Sequence, residues 1–385
     1  MYSIFDYGKM IADPVRMGAY AEAIETSVEP GMTVLDLGTG TGIFALLACR
    51  AGARMVYAVD PSAAIQVGNE IARANGFEKR IEFIQGRSTE IDLSERVDLI
   101  VSDMRGIVPF SGTHLADIID ARSRFLGSNG RLLPLKDMLY GSLAESPDQY
   151  RKFVHPWLES PMGFDMSPAC RYLLHTWKKT RDESFRAISP PCLWTAIDYE
   201  TINSTEGTGR LSWTVQNHAV AHGFVLWFET NLTESCGFSN APGQLESIYG
   251  KAFFPFLAPL SIKKGDRVEI ELRAEAVGHE YTWRWDTVHL SKSNAKRRLF
   301  HQSTFYSAPL SSHSLSKREA GYRPTLKIPG EVDRFILNLI DGGKTLQEIA
   351  ETIHKKFPGV YPTVRKAFDR VGHISQKYSG GGDAL

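Results

Sequence analysis

The fold is decided by Val34-Leu35-Asp36-Leu37-Gly38-Thr39-Gly40-Thr41-Gly42, which is followed by Val56-Tyr57-Ala58-Val59-Asp60. This order predicts a buried strand, a glycine-rich turn, a helix and a second strand that ends in an acid. The turn needs glycine because the backbone bends sharply there and a ligand must approach it without Cβ atoms in the way. An acid about 20 residues beyond such a turn can accept both hydroxyls of a ribose.

The spacing of the glycines separates two kinds of nucleotide site. A dinucleotide fingerprint is usually Gly-x-Gly-x-x-Gly, whereas this turn reads Gly-x-Gly-x-Gly with Asp36 inside the strand before it. The tighter spacing resembles the S-adenosylmethionine (SAM) site of class I methyltransferases. This resemblance implies SAM as the cofactor.

The composition excludes several classes of protein. The chain has 385 residues and 43% of them are hydrophobic, which is enough for two or three domains with a core. It has 44 Lys and Arg against 44 Asp and Glu, so no global field would draw it to nucleic acid or to a membrane. The four cysteines are scattered, so we expect no metal site, no disulfide framework and a cytoplasmic location. We also expect no secretory signal and no membrane span.

The pattern along the chain changes twice. Residues 1–135 alternate strand and helix, which predicts a parallel, doubly wound, Rossmann-like sheet. Residues 136–290 alternate strands and turns, which predicts an antiparallel β-barrel or sandwich with a helical insertion at about 147–191. The polar segment 291–321 is the predicted linker, and 322–378 contains three short helices of a winged-helix-sized module.

Several motifs, in order, resemble the protein arginine methyltransferase family over about residues 5–290. Beside the glycine turn they are Met10-Ile11-Ala12-Asp13-Pro14-Val15-Arg16, Ala51-Gly52-Ala53-Arg54, Gly163-Phe164-Asp165-Met166-Ser167 and Phe224-Val225-Leu226-Trp227-Phe228. The resemblance implies a Rossmann-like domain, a β-barrel domain with a dimerisation arm, and a homodimer.

The resemblance also implies which residues hold the cofactor. Arg16 would pair with the SAM carboxylate, a task suited to a guanidinium. Met10 would pack near the adenosine or the sulfonium, and Asp60 would bind the ribose hydroxyls. The other implied cofactor contacts are Asp36, Gly38, Gly40, Gly42, Ser88 and Thr89.

Each of these assignments has a structural alternative. Asp36 could only hydrogen-bond amides of the loop, and Asp60 could cap the following helix. Arg16 could be a solvated charge on an exposed helix. Met10 could simply pack in the core. At Thr89 the family usually has a glutamate, and Glu90 stands one residue later.

The acceptor side departs from the family. There, two glutamates hold a substrate guanidinium, which stays protonated at ordinary pH. The first position is Asp103 here, and the second is Gly112, which has no side chain. Arg105 replaces a methionine, and its charge would repel a guanidinium, attract an anionic acceptor or be solvated. The family's Thr-His-Trp loop is replaced by Tyr249-Gly250-Lys251-Ala252-Phe253.

Two residues are candidates for catalysis at the acceptor. Asp103 could act as a base, and His114 lies two residues past the lost glutamate. The alternatives are a loop-shaping hydrogen bond for Asp103 and a surface position for His114. Methyl transfer is an in-line displacement, so alignment and desolvation can supply most of the effect without a strong base.

The last segment has a resemblance of its own. Asp341-Gly342-Gly343-Lys344-Thr345-Leu346-Gln347-Glu348-Ile349-Ala350 is similar to the helical part of PqqD-like domains, which bind leader peptides. The alternative is a helical addition that serves folding or dimer contacts. The basic run of Lys292, Lys296, Arg297 and Arg298 lacks interleaved aromatic residues, so it favours a solvated linker over a nucleic-acid groove.

These observations predict a cytoplasmic SAM-dependent methyltransferase with an altered acceptor site. The acceptor is expected to be a peptide or protein side chain, with a small molecule as the alternative. Two rival hypotheses are a SAM-binding scaffold without activity and an arginine methyltransferase that uses only Asp103.

Overall fold

A five-stranded parallel sheet forms the first part of the fold. The computed structural model describes residues 2–159, 161–292 and 297–379. The strands of this sheet are β1 (Thr33–Leu37), β2 (Met55–Asp60), β3 (Ile81–Gln85), β4 (Val97–Ser102) and β5 (Leu126–Leu133). They lie in the order β3-β2-β1-β4-β5, and all neighbouring pairs are parallel. Every residue of β1 is buried, as expected for a strand covered on both faces.

Five helices accompany this sheet and confirm the predicted α/β architecture. They are α1 (Ile4–Ile11), α2 (Pro14–Ser27), α3 (Ile43–Ala51), α4 (Ala64–Ala74) and α5 (His114–Phe125). The strand order reverses between β1 and β4. Ligands of doubly wound sheets bind outside the carboxyl ends of the strands at such a point, so the topology places the candidate site after β1 and β4.

Antiparallel strands follow from residue 136. They are β6 (Lys136–Glu145), β7 (Lys178–Thr180), β8 (Arg186–Ala187), β9 (Cys192–Asp198), β10 (Gly207–Thr214), β11 (Ala219–Asn231), β12 (Gly237–Ser239), β13 (Lys251–Ile262), β14 (Arg267–Val277), β15 (Glu280–Leu290) and β16 (Arg297–Ser303). Helices α6 (Pro147–Leu158) and α7 (Cys170–Leu173) lie between β6 and β7, within the predicted insertion.

These strands form two sheets. One has the order β7-β13-β11-β6-β8, with β9 on β6 and β12 on β11, and the other has the order β10-β14-β15-β16. An aromatic contact joins them: Phe254 of β13 meets Trp283 of β15 at 5.3 Å between ring centroids, and it also stacks on Phe224 of its own sheet at 4.8 Å. The antiparallel prediction is confirmed, but a closed barrel is not seen among the described residues. Alternation predicts strands without specifying which edges pair.

The predicted linker at 291–321 is partly wrong. Strand β16 lies inside it and pairs with β15 in antiparallel register. Phe300 and Gln302 point inward and are buried, and Gln302 Nε2 donates to the carbonyl of Pro255 at 2.9 Å. The sequence did not predict this strand because one of its inward-facing residues, Gln302, is polar. Gln302 can be buried because it has a hydrogen-bond partner. Lys296 of the basic run lies outside the described residues.

The chain divides into two compact units, Met1–Pro309 and Leu310–Leu385. The predicted boundary at residue 135 lies inside the first unit and stays a prediction. The helices of the second unit are α8 (Ser312–Ser316), α9 (Ile328–Leu337), α10 (Leu346–Lys356) and α11 (Val364–Tyr378).

The second unit has its own apolar core, which includes Ile336, Ile349 and Val371. Thr345 and Glu348 form the expected capping box at the start of α10. Residues 310–379 contain no strand, so the wing of a winged helix is not seen in the described part, and the PqqD-like similarity stays a prediction. None of the described helices is both long and apolar enough to cross a membrane.

Candidate cofactor and acceptor site

A cavity of about 820 Å³ opens at the carboxyl ends of β1, β2 and β4. This volume lies within the roughly 300–1,000 Å³ typical of ligand sites. Its walls come from α1, from the loops that follow these strands, and from the antiparallel region. The sheet order places Asp60 of β2 toward one end, and Asp103 after β4 toward the other.

The glycine turn forms one wall of the cavity. Gly38, Gly40 and Gly42 have φ angles of +79°, +55° and +85°, a region that favours glycine. A Cβ on Gly38 would lie 2.5 Å from Met104 Cγ, and a Cβ on Gly40 would overlap the Tyr7 ring of α1. The turn therefore needs glycine for both its bend and its close packing, and only Gly38 of the three lines the cavity itself.

Asp60 presents its carboxylate to the cavity at the end of β2. Oδ1 accepts from the Ser62 amide at 2.7 Å, and Oδ2 accepts from the Gly40 amide at 2.9 Å. Burial raises the pKa of this carboxyl group. Each oxygen keeps capacity for a further hydrogen bond, which suits a ribose diol. The helix-cap alternative is wrong because Ala63 is the N-cap of α4.

Arg16 and Met10 also line the cavity. Arg16 is only 7% exposed, so the solvated-charge alternative is wrong. Its Nε lies 2.5 Å from Asp103 Oδ2, and its Nη1 donates to the Met10 carbonyl at 3.3 Å. Within the described ranges, nothing is hydrogen-bonded to Nη2, so these two N–H groups can bind a ligand carboxylate.

Asp36 does not line the cavity. Its Oδ2 accepts from the Thr39 hydroxyl at 2.6 Å and from the Ala45 amide at 2.9 Å. Burial raises the pKa of Asp36 to about 7. The loop-shaping alternative therefore describes the contacts of Asp36 in this structure, and the direct cofactor contact implied for it stays a prediction.

Ser88 and Thr89 do not reach the cavity either. Ser88 is turned inward in the short helical turn Ser88–Glu90, where its carbonyl accepts from Arg124 Nη1 at 2.6 Å. Thr89 is exposed. The preceding Arg87 lines the cavity instead. The helical turn that begins at Ser88 directs the side chains of Ser88 and Thr89 away from the cavity.

Asp103 lines the cavity, but its carboxylate is already engaged. Beside Arg16, the Tyr249 hydroxyl donates to Oδ2 at 2.6 Å, and Arg105 Nε lies 3.3 Å from Oδ1. A proton taken up by Oδ2 would have to displace two hydrogen-bond donors, Arg16 and Tyr249, whereas Oδ1 is buried without a hydrogen-bond partner among the described residues. This geometry favours the loop-shaping alternative for Asp103.

Arg105 does not face the acceptor. The side chain is fully buried and pairs with Asp137 at 2.9 Å and with the Tyr20 hydroxyl at 2.7 Å. The guanidinium also lies 5.1 Å from the ring centroid of Phe228. The predicted effects on the acceptor and the solvated alternative are therefore wrong, because Asp137 neutralises the charge inside the protein.

His114 is not positioned for catalysis. It is 1% exposed and does not line the cavity. Its Nε2 lies 3.0 Å from the Tyr199 hydroxyl, which donates to Asp137 at 2.6 Å. The hydroxyl can then only accept from His114, so Nε2 carries the hydrogen. Burial, and next the Arg105 charge, lower the pKa of His114 to about 3. The surface alternative is wrong, and the catalytic role, which this buried position does not support, stays a prediction.

Sequence reasoning missed part of the cavity wall. The missed residues include Tyr7 and Lys9 of α1 and Lys179 and Arg181 in the predicted insertion. No local motif marks Lys179 or Arg181, because the pairing of β7 with β13 brings Lys179 to the site and Arg181 follows directly after β7. Tyr249 had one signal, since it begins the stretch that replaces the Thr-His-Trp loop.

Two protein families match the chain. The ribosomal protein L11 methyltransferase family matches residues 20–108, which include the glycine turn. The arginine methyltransferase oligomerization subdomain matches residues 138–286, which include most of the antiparallel strands.

Curated relatives agree with these matches. A probable protein arginine N-methyltransferase 6 from Arabidopsis thaliana is 31% identical over 58% of this chain, which spans 54% of that relative. Protein arginine N-methyltransferase 1 from Dictyostelium discoideum is 29% identical over 69% of this chain and 80% of its own length.

Solved structures show the same fold. Arabidopsis thaliana protein arginine methyltransferase 10 aligns with a TM-score of 0.67 and 23% identity, covering 78% of this chain and 97% of that one. A Trypanosoma brucei protein arginine methyltransferase 1 enzyme–prozyme heterotetramer with S-adenosylhomocysteine aligns with a TM-score of 0.68 and 21% identity, covering 77% and 96%. The comparisons agree with the predicted methyltransferase class and its SAM cofactor: in sequence this chain is similar to protein arginine methyltransferases and other SAM-dependent methyltransferases, and it shares the fold of the solved arginine methyltransferases.

Proposed function

We propose that this protein transfers a methyl group from SAM to an acceptor other than arginine, on a peptide or protein. One observation carries the cofactor assignment: Asp60, the Gly38 turn and the Arg16 guanidinium meet in a single cavity. Their chemistry fits SAM, because a carboxylate suits the ribose hydroxyls and a guanidinium suits the amino-acid carboxylate. When bound there, SAM supplies an electrophilic methyl group on its sulfonium.

The residues around this cavity favour alignment and the exclusion of water. Gly38 lets the backbone approach the ligand, and Tyr7 of α1 packs against Gly40. Asp60 and Arg16 hold opposite parts of an extended ligand. Holding the reacting groups in line and away from water accounts for much of the acceleration of such a displacement.

The acceptor side supports a substrate other than arginine. Gly112, at the second glutamate position, has φ +53° and no atom within 4 Å of an added Cβ. Asp103 is tied to Arg16 and Tyr249. A guanidinium therefore meets no pair of available carboxylates. The same two observations favour the alternative, a SAM-binding scaffold without activity.

Calorimetric titration with SAM and S-adenosylhomocysteine tests the cofactor assignment. Asp60→Ala should weaken binding by about tenfold or more, because it removes hydrogen bonds to a charged acceptor, each worth about 1.5–3 kcal/mol. Asp92→Ala is the matched control, since that carboxylate is 96% exposed and lies outside the cavity. The absence of binding by the folded native chain would overturn the proposal.

We also propose a homodimer formed through the insertion between β6 and β7. Met162 and Phe164 in this insertion are 95% and 68% exposed, an exposure that a partner surface would cover. The match to an oligomerization subdomain supports this assembly. Light scattering should give twice the mass of the chain, and a monomer for Phe164→Asp.

We further propose a cytoplasmic location and a peptide-binding role for the second unit. All four cysteines are free thiols in the described residues, which suits a reducing compartment. The resemblance of its helices to PqqD-like domains supports the second role. Deleting residues 322–385 should then abolish binding of the peptide substrate and leave SAM affinity intact.

A further inference from the structure

The cavity has two cationic side chains that the cofactor assignments leave unused. Lys179 and Arg181 line it together with Ile248 and Tyr249. The Tyr249 hydroxyl donates to Asp103 after β4, so this group lies on the β4 side. The residues assigned to the ribose lie at β2, on the other side of β1. Lys179 and Arg181 are therefore placed away from the ribose end, on the side of Asp103, which stands at the family's first acceptor-binding position.

Lys179 lacks a carboxylate partner within the described part of the chain. Its strand β7 pairs with β13, with Lys179 opposite Ala252. The Lys179 ammonium donates to the carbonyl of Ile248, a bond that leaves further N–H groups on the ammonium free. Its neighbour Lys178 points to the other face of the sheet and does not line the cavity.

Arg181 is only partly neutralised. Its Nη1 lies 3.5 Å from Glu246 Oε1, and the side chain is 45% exposed. The same oxygen of Glu246 also faces the buried ammonium of Lys251 at 3.6 Å, which in turn contacts Asp182 at 2.7 Å. Glu246 thus pairs with two cations, and the Arg181 guanidinium can bind a further anion.

The whole cavity has an excess of positive charge. Five cationic side chains line it against three carboxylates, Asp6, Asp60 and Asp103. Asp6 pairs with Lys9 at 3.3 Å and Asp103 pairs with Arg16, while Asp60 is assigned to the ribose. Burial, followed by the charge of Arg181, lowers the pKa of Lys179, while the nearby Glu246 carboxylate acts in the opposite direction.

We propose that the methyl acceptor carries a carboxylate that binds Lys179 and Arg181. This inference rests on the proposed methyltransferase function and names its substrate class: an acidic peptide. SAM itself brings a net positive charge into the cavity, so a cationic acceptor would be repelled and an anionic one attracted. One carboxylate fits better than a phosphate, because Glu246 already compensates part of the Arg181 charge and less negative charge is needed from the ligand.

The test uses the full-length protein saturated with S-adenosylhomocysteine and fluorescent oligo-glutamate and oligo-arginine peptides of equal length. Fluorescence anisotropy should show oligo-glutamate binding more tightly. Lys179→Glu should weaken that binding by about tenfold, since it replaces a charge-assisted contact with repulsion. Lys179→Arg, which keeps the positive charge, should bind oligo-glutamate about as tightly as the native protein. The chain has 44 residues of each charge, so a general attraction for acidic peptides is not expected.

Lys178→Glu is the matched control, because it makes the same charge change on the same strand but outside the cavity. It should leave oligo-glutamate binding within about twofold of the native value, an effect of the size expected for an exposed charge. Equal losses in the two variants, tighter oligo-arginine binding, or no oligo-glutamate binding would each overturn the inference. Affinity for S-adenosylhomocysteine is measured separately, and its absence would instead count against the proposed function.

Discussion

The guanidinium of Arg16 and the carboxylate of Asp103 form a buried ion pair, with 2.5 Å between Nε and Oδ2. Tyr249 donates its hydroxyl to the same carboxylate oxygen at 2.6 Å. The contact joins α2 to the loop after β4 and to the segment before β13. Asp103 therefore contributes to the cavity wall by fixing the orientation of Arg16.

Replacing Asp103 tests that role. Asp103→Asn should lower the free energy of unfolding by about 3–5 kcal/mol, because it leaves the Arg16 guanidinium buried without a counter-ion. Urea unfolding measures the change. Tyr249→Phe is the milder comparison and should cost about 1 kcal/mol, the value of one hydrogen bond. An Asp103→Asn variant as stable as the native protein would show that the ion pair has no such role.

Replacing Arg105 with methionine, the family's residue, should destabilise the protein rather than restore arginine methylation. Asp137 is completely buried and pairs with Arg105 at 2.9 Å, so Arg105→Met should cost about 3–5 kcal/mol. Adding Asp137→Asn should recover part of the loss in urea unfolding, because the unpaired charge is then gone. A gain in methylarginine formation by a stable Arg105→Met variant would contradict this expectation.

The clash at Gly40 gives a prediction with an internal control. Gly40 and Gly76 both have positive φ, at +55° and +74°, but only Gly40 has a neighbour within 4 Å of an added Cβ. Alanine at either position should cost about 1–2 kcal/mol of backbone strain. Gly40→Ala should also displace Tyr7 and weaken S-adenosylhomocysteine binding in calorimetry, whereas Gly76→Ala should not. Equal affinities would show that Tyr7 does not matter for the cofactor.

His114 should make the protein sensitive to acid. Its pKa is about 3 in the fold against about 6.5 in the unfolded chain. Below about pH 6.5 the His114 side chain binds a proton in the unfolded chain but not in the native protein. Stability that is present above that pH is therefore lost as the pH falls toward 3.

The comparison is with His114→Asn, measured by urea unfolding at several pH values. The stability advantage of the native protein over this variant should shrink by about 2 kcal/mol between about pH 7 and pH 5. Cofactor affinity should change little, because His114 does not line the cavity. Parallel stability curves for the two proteins would rule out His114 as the titrating group.

Local sequence patterns were sufficient to predict the parallel sheet and to find Gly38 and Asp60, which line the cavity. The glycine turn and Asp60 depend on backbone geometry within one strand–turn–helix–strand unit, so their spacing predicts their roles. Met10 and Arg16 followed from the family resemblance, and both line the cavity.

The acceptor side could not be predicted because its determinants are partners far away in sequence. Arg105 and His114 depend on Asp137 and Tyr199, which are 32 and 85 residues away from them, respectively. Tyr249 reaches Asp103 across 146 residues. A polar side chain has the same local pattern whether it faces solvent or a buried partner, so only the tertiary contacts assign it.

The pairing of Arg105 with Asp137 and Tyr20 constrains how such a chain can be cut or recombined. Asp137 belongs to β6, whereas Arg105 and Tyr20 belong to the parallel-sheet half. A fragment that ends at residue 135 would retain an interior cation and lose its counter-ion. A chimaera that takes its antiparallel half from a relative would face the same deficit unless the donor supplied an acid at this position. The two halves of the first unit must therefore be inherited together, or change in step.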